Sequence, residues 1–131
     1  MKADARVIKQ VLAADAGISA KVADRIFPLR IPAGVTTFPY IVYKLSEKPT
    51  DGTKDGNERT VAAQITVVAK GYEEAHDVAD LIEGAFYDAE AVTDAAGLFN
   101  PEFGGEEEDA VDVLDVNCIL VMNIINFQKY S

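Results

Sequence analysis

In the run RTVAAQITVVAKGYEEAHDVADLIEGAFYD the hydrophobic pattern changes period at Gly71. Val61, Ala63, Ile65, Val67 and Ala69 alternate with Thr60, Gln64, Thr66 and Lys70, as in a strand with one buried face. After the glycine, Tyr72, Ala75, Val78, Ala79, Ile82, Ala85 and Phe86 fall on one helical stripe. This spacing predicts a helix over 72–88 with its apolar side on a sheet. A half-buried strand leading into such a helix requires a helix layer against a sheet layer, and the order of the remaining elements makes the fold α+β.

The remaining elements are read around that junction. Val7, Ile8, Val11 and Leu12 share one face of a helix over 2–14, and Gly17 marks its end. Ile18, Val22 and Ile26 predict a second short helix from Ser19 to Ile26, stopped by Pro28. LRIPAGVTT reads as an extended connector, and FPYIVYKLS, from Phe38 to Ser46, as a strand with Pro39 near its start, where a missing donor is tolerated. Both faces of that strand are apolar until Lys44.

EKPTDGTKDGNE, over 47–58, has Pro49 and two Asp-Gly pairs and reads as a turn-rich loop, long for a hairpin. Beyond Asp88 the periodicity fades; Val111 and Val113 open a strand, and VNCILVMNIINF forms another from Val116 to Phe127. The expected sheet is mixed or antiparallel, of about four strands, with helices on one face and the long loop between its first two main strands.

A chain of 131 residues forms about one domain, and we expect a single domain over 1–131. Hydrophobic residues at 49% and charged ones at 26% point to a globular rather than a disordered chain. The longest apolar run, CILVMNIINF, is too short and too interrupted to span a bilayer, so no membrane partner is expected. Arg6 and Lys9 among the first apolar residues suit an amphipathic helix rather than a signal peptide, so the expected place of synthesis and folding is the cytoplasm. The net charge of −10 repels phosphate and argues against direct nucleic-acid binding. Such a surface either serves solubility or lets DNA slide past without sticking.

Catalytic chemistry finds little to work with. GxSxG, Walker-type, GxGxxG and HExxH patterns are missing from the sequence, and the expectation is no enzyme and no cofactor. Cys118, in an apolar run, reads as a small buried hydrophobe rather than a nucleophile. His76, near Glu73, Asp77 and Asp80, reads as part of a solvated helix face rather than a metal ligand. The acidic segment holding Glu102, Glu106, Glu107, Glu108, Asp109, Asp112 and Asp115 leaves three readings open. These are a solvated charged loop, an acidic channel lining or partner surface, and a calcium site without the EF-hand pattern.

The order of helix, RIFP, connector, FPYIVY, polar loop and VAAQITVVAKGYEEAHDVADLIEGAF resembles the small tail-completion or tail-terminator proteins of long-tailed bacteriophages. The resemblance covers about residues 5–88. It rests on Arg25, Ile26, Phe27 and Pro28, on Phe38, Pro39, Tyr40, Ile41 and Val42, and on Lys70, Gly71, Tyr72, Glu73, Glu74 and Ala75. It implies a structural role, with subunits in a homo-oligomeric ring, expected to be a hexamer, at the head-proximal end of the tail tube. Such a ring stops tube polymerisation, joins the head-tail connector protein and lets DNA through without specific binding, and its place is the virion's neck after assembly in the host cytoplasm. In this light Glu47, Lys48, Asp51, Lys54, Asp55, Glu58 and Arg59 become an expected docking loop for the tail-tube protein or a neighbouring ring. Glu102, Glu106, Glu107, Glu108, Asp109 and Asp112 become an acidic lumen or partner surface. The rival reading is a small α+β ligand-binding or regulatory domain acting as a dimer around a pocket between helix and sheet.

Overall fold

The computed structural model describes residues 2–31, 33–34, 37–49 and 58–130. Helix α1 (Lys2–Ala14) buries Ile8, Val11 and Leu12 of the stripe read from sequence and leaves Val7 half-buried. Helix α2 (Ala16–Val22) starts at Asp15, whose side chain accepts the Ile18 N–H at 2.9 Å. Here the expected Ser19–Ile26 helix is corrected at both ends. The aspartate cap starts it earlier, and after Val22 the chain turns through Ala23, at φ 53°, into strand β1 (Ile26–Pro28). Backbone pairing outcompetes the helical spacing of Val22 and Ile26: Ile41 N–H donates to Arg25 O at 2.9 Å and Leu29 N–H to Tyr43 O at 2.8 Å. Pro28 is tolerated there because β1 is an edge strand.

Strand β2 (Tyr40–Pro49) runs parallel to β1 and antiparallel to β3 (Glu58–Ala69), in register from Tyr40 opposite Val68 to Pro49 opposite Arg59. Glu47, Lys48, Glu58 and Arg59 therefore lie in a ladder rather than in the loop expected from sequence. That end of β3 is held from its other side too, Glu58 opposite Tyr130 and Arg59 opposite Lys129. Asp51, Lys54 and Asp55 lie outside the described residues.

Helix α3 (Tyr72–Asp88) has the expected bounds, and the short α4 (Glu90–Ala95) follows it. Strands β4 (Phe99–Val113) and β5 (Val116–Tyr130) then form one long antiparallel hairpin. This corrects the charged loop expected before Val111. The acidic segment is extended because β5 offers it a ladder along almost its whole length, closed by Leu114 and Asp115 at φ 51° and 63°. Among the described residues the sheet has five strands rather than about four, in the order β1-β2-β3-β5-β4.

The helices cover one face of this sheet, as expected. Ile8, Leu12, Val78, Ile82 and Phe86 pack on Val61, Ala63, Ile65, Val121, Ile125 and Phe127, and the Phe86 and Phe127 rings lie 6.1 Å apart. Asn123, the polar residue buried among them, donates from Nδ2 to Ala79 O at 3.1 Å, which satisfies it. At the rim, Lys129 Nζ reaches the buried carboxylate of Asp4 at 2.9 Å and ties the first helix to the last strand.

Candidate functional site

The other face of the sheet carries no helix among the described residues. Since neighbouring residues of a strand point to opposite sides, the register puts Val42, Lys44 and Lys48 of β2, Val68 and Thr66 of β3, and Cys118, Leu120, Met122 and Ile124 of β5 on this face. From β4 it receives Glu102, Glu107, Asp109, Val111 and Val113. The β5 residues Leu120, Met122 and Ile124 are half-buried without a covering layer.

One end of this open face gathers the sequence motifs. Tyr40, Val68 and Cys118 are buried there beneath Phe27, Phe38, Val42, Val116 and Leu120. The Phe27 and Tyr40 rings lie 6.1 Å apart and those of Phe38 and Tyr40 5.5 Å, with Lys70 Nζ 5.5 Å from the Phe38 centroid. Arg25 Nε donates to Pro39 O at 3.0 Å and holds the two motif segments together. RIFP and FPY, separate in sequence, thus build one aromatic corner, around which Pro28 is exposed. Burial pushes the Cys118 thiol above its ordinary pKa, as expected of a small buried hydrophobe.

The acidic residues split between the two faces. Glu106 and Glu108 point to the helical side and meet His76 of α3: Nε2 lies 2.8 Å from Glu108 Oε2 and Nδ1 3.2 Å from Glu106 Oε1. Tyr72 packs beside the imidazole with ring centroids 4.5 Å apart and the planes tilted by 48°. The hydrogen bond that His76 donates to the Glu108 carboxylate raises the His76 pKa, and the same bond lowers that of Glu108. His76 is therefore a bridge between helix and edge strand rather than part of a solvated face. Among the described residues, no group of three or more His, Cys, Asp or Glu has the arrangement to hold a metal ion.

Glu107 and Asp109 point to the open face and are exposed. Asp109 caps the neighbouring Ala110 N–H at 2.8 Å. Asp112 lies on the helical side near the hairpin turn. β4 crosses Asn126 closely at Gly104, where an added Cβ would sit 2.5 Å from the Asn126 amide nitrogen. At the far side of the sheet Glu47 pairs with Arg59 at 3.7 Å, diagonally across β2 and β3.

Among the described residues the sheet also has two open edges. β4 is the outermost strand on one side. On the other, β1 covers β2 only opposite Ile41, Val42 and Tyr43, so the outer edge of Lys44–Pro49 has no partner among the described residues. Sequence reasoning missed both edges, because a three-residue parallel strand and an unpatterned acidic strand leave no periodic signal.

Comparison with known proteins adds a family and a fold. Residues 6–110 match the family described as Tail completion protein gp17, so the match reaches from α1 well into β4. No curated protein matches the chain. A chain of the solved structure "Virion of native gene transfer agent (GTA) particle" is similar in fold, with a TM-score of 0.61 at 21% identity over 92% of this chain and 91% of that one.

Proposed function

Because this chain belongs to the Tail completion protein gp17 family, we propose that it forms a ring, expected to have six subunits, that caps the head-proximal end of the tail tube. As a family member it is a structural component of the virion's tail region. In this reading the ring ends tube polymerisation and presents a surface to the head-tail connector, without catalytic activity or cofactor. The observation that carries it is the unfinished sheet: among the described residues, one face has half-buried apolar residues with no covering layer, and both edges are open. Rings need heterologous contacts between different surfaces of neighbouring subunits, and a sheet open on one face and two edges supplies them.

The chain's net charge of −10 suits a passage through which DNA moves without sticking. The segment between Glu47 and Glu58 serves as the docking element toward the tube or a neighbouring ring, with the Glu47–Arg59 pair at its base. Shortening 50–57 to a brief Gly-containing turn is expected to spare folding and reduce attachment of heads to tails; particles that mature normally with this deletion exclude the docking role. The rival ligand-binding domain is less favoured, because the helix–sheet layer where its pocket would lie is filled by Val78, Ile82 and Phe86, each 0% exposed.

The direct test polymerises tail-tube protein with and without this chain and images the ends. Capped tubes of limited length with a ring at one end are expected. Tubes of unchanged length with bare ends overturn the proposal.

A further inference from the structure

Both open edges belong to one sheet, and their charges differ. On the open face β4 offers Glu107 and Asp109, while β2 offers Lys44 and Lys48; all four are exposed, and among the described residues none forms an ion pair. A long exposed edge strand is a template for pairing with another chain, and natural proteins use charge to restrict which chain that is. Here the charge forbids pairing β4 with β4 of a second copy, since Glu106, Glu107, Glu108 and Asp109 would face their own like. It leaves the basic β2 edge as the complementary one.

Resting on the ring reading above, we infer that the occupant of the β4 edge is the Lys44–Pro49 edge of the next copy, so that subunits join head to tail by strand addition. Strand direction agrees. β2 is antiparallel to β3, β3 to β5 and β5 to β4, which makes β4 antiparallel to β2. Copies arranged around an axis along the strands keep one strand direction, so β4 of one copy meets β2 of the next in the antiparallel sense. A strand register can shift only by even steps without turning side chains to the wrong face. One such register sets Lys44 across from Asp109, and the next sets Lys48 across from Glu107; in either, the remaining charges lie within diagonal reach. On the helical face the joint brings Glu47 near Glu106 and Glu108, but these are already engaged, Glu47 by Arg59 and the other two by His76. The contact is heterologous, the type from which rings are built when the rotation between copies closes.

The experiment uses the full chain with two double variants, K44E/K48E and E107K/D109K, checked for folding by circular dichroism. Each alone is expected to raise the concentration for half-assembly, read by mass photometry, at least ~10-fold, because like charges then face each other at the joint. Mixed together the variants restore assembly in rings of alternating subunits, and so does the quadruple variant with both edges exchanged. A wild-type ring unaffected by either double variant overturns the edge joint and leaves the ring reading standing. Loss of assembly that neither mixing nor the quadruple variant rescues also overturns it. A wild-type chain that forms no ring, alone or on tail tubes, overturns both.

Discussion

The two faces of the sheet are built from the same strands and have opposite fates. On the covered face, Val61, Ala63, Ile65 and Val67 of β3 and Val121 and Ile125 of β5 are 0% exposed beneath α1 and α3. On the open face, Leu120, Met122 and Ile124 of the same β5 stay half-buried. β5 is thus apolar on both sides although the described residues cover only one. A strand buried on both faces reads as a near-continuous hydrophobic run, and the run VNCILVMNIINF fits the second covering layer that the proposed ring would give β5. The covered face finishes the fold, and the open face carries the surplus.

The largest expected effect tests the covered face. Phe86→Ala empties a fully buried site against Phe127 and is expected to cost about 3–5 kcal/mol in denaturant unfolding. A cost under ~1 kcal/mol would mean the layers are not packed as described. The same measurement on the open face should give a different answer. Met122→Thr with Ile124→Thr keeps strand-forming residues on half-exposed positions and is expected to cost less than ~1 kcal/mol each. Assembly on tail tubes should nevertheless fail. Tubes still capped by this variant would show that the open face is not a contact, and the comparison between the faces would lose its functional meaning.

That difference also explains what could be read without the structure. The junction at Gly71 was legible, because alternation and the helical stripe are local records of burial against the covered face. β1 was not: Ile26 continues the helical spacing of Ile18 and Val22, and only its pairing with Ile41 makes it a strand. β4 was not either, since Glu106, Glu107, Glu108 and Asp109 are all exposed and alternate in nothing the sequence records. Its extended form comes from β5. The apolar character of FPY was plain, but its contact with Phe27 depends on the parallel pairing of β1. The carboxylates that meet His76 lie about thirty residues away in sequence, so the histidine looked solvated.

A smaller effect concerns the turn that folds β4 back onto β5. Leu114 and Asp115 both adopt positive φ, and Leu114 is 62% exposed. That backbone is the two-residue hairpin turn that favours Asn-Gly, and a leucine there is strained. Leu114→Asn with Asp115→Gly is therefore expected to stabilise the protein by roughly 0.5–1 kcal/mol. It leaves both faces untouched, so a loss of assembly would mean that the turn itself makes a contact, and the open surface would then extend around the hairpin tip.

The smallest effect lies where the two faces meet, at the bridge from α3 to β4, and it is a dependence on pH. Tyr72 and Asp80 of α3 and Glu106 and Glu108 of β4 surround His76. Glu108 raises the folded-state pKa of His76 above its ordinary 6.5, so the bridge's contribution is fully present below that value and is lost as pH rises through the folded pKa. The folded-state pKa of Glu108 is lowered from its ordinary 4.5, so its contribution is fully present above that value and is lost as pH falls through the folded pKa. The bridge is thus complete between pH 4.5 and 6.5 and weakens on either side. His76→Gln keeps a hydrogen bond but no titrating charge. Unfolding midpoints followed across neutral pH should fall for the natural protein relative to this variant, by a small amount because the group is solvent-accessible. Parallel curves through that range would show that His76 adds no charge-dependent stability, and that β4 is held to the helical layer by its ladder with β5 alone.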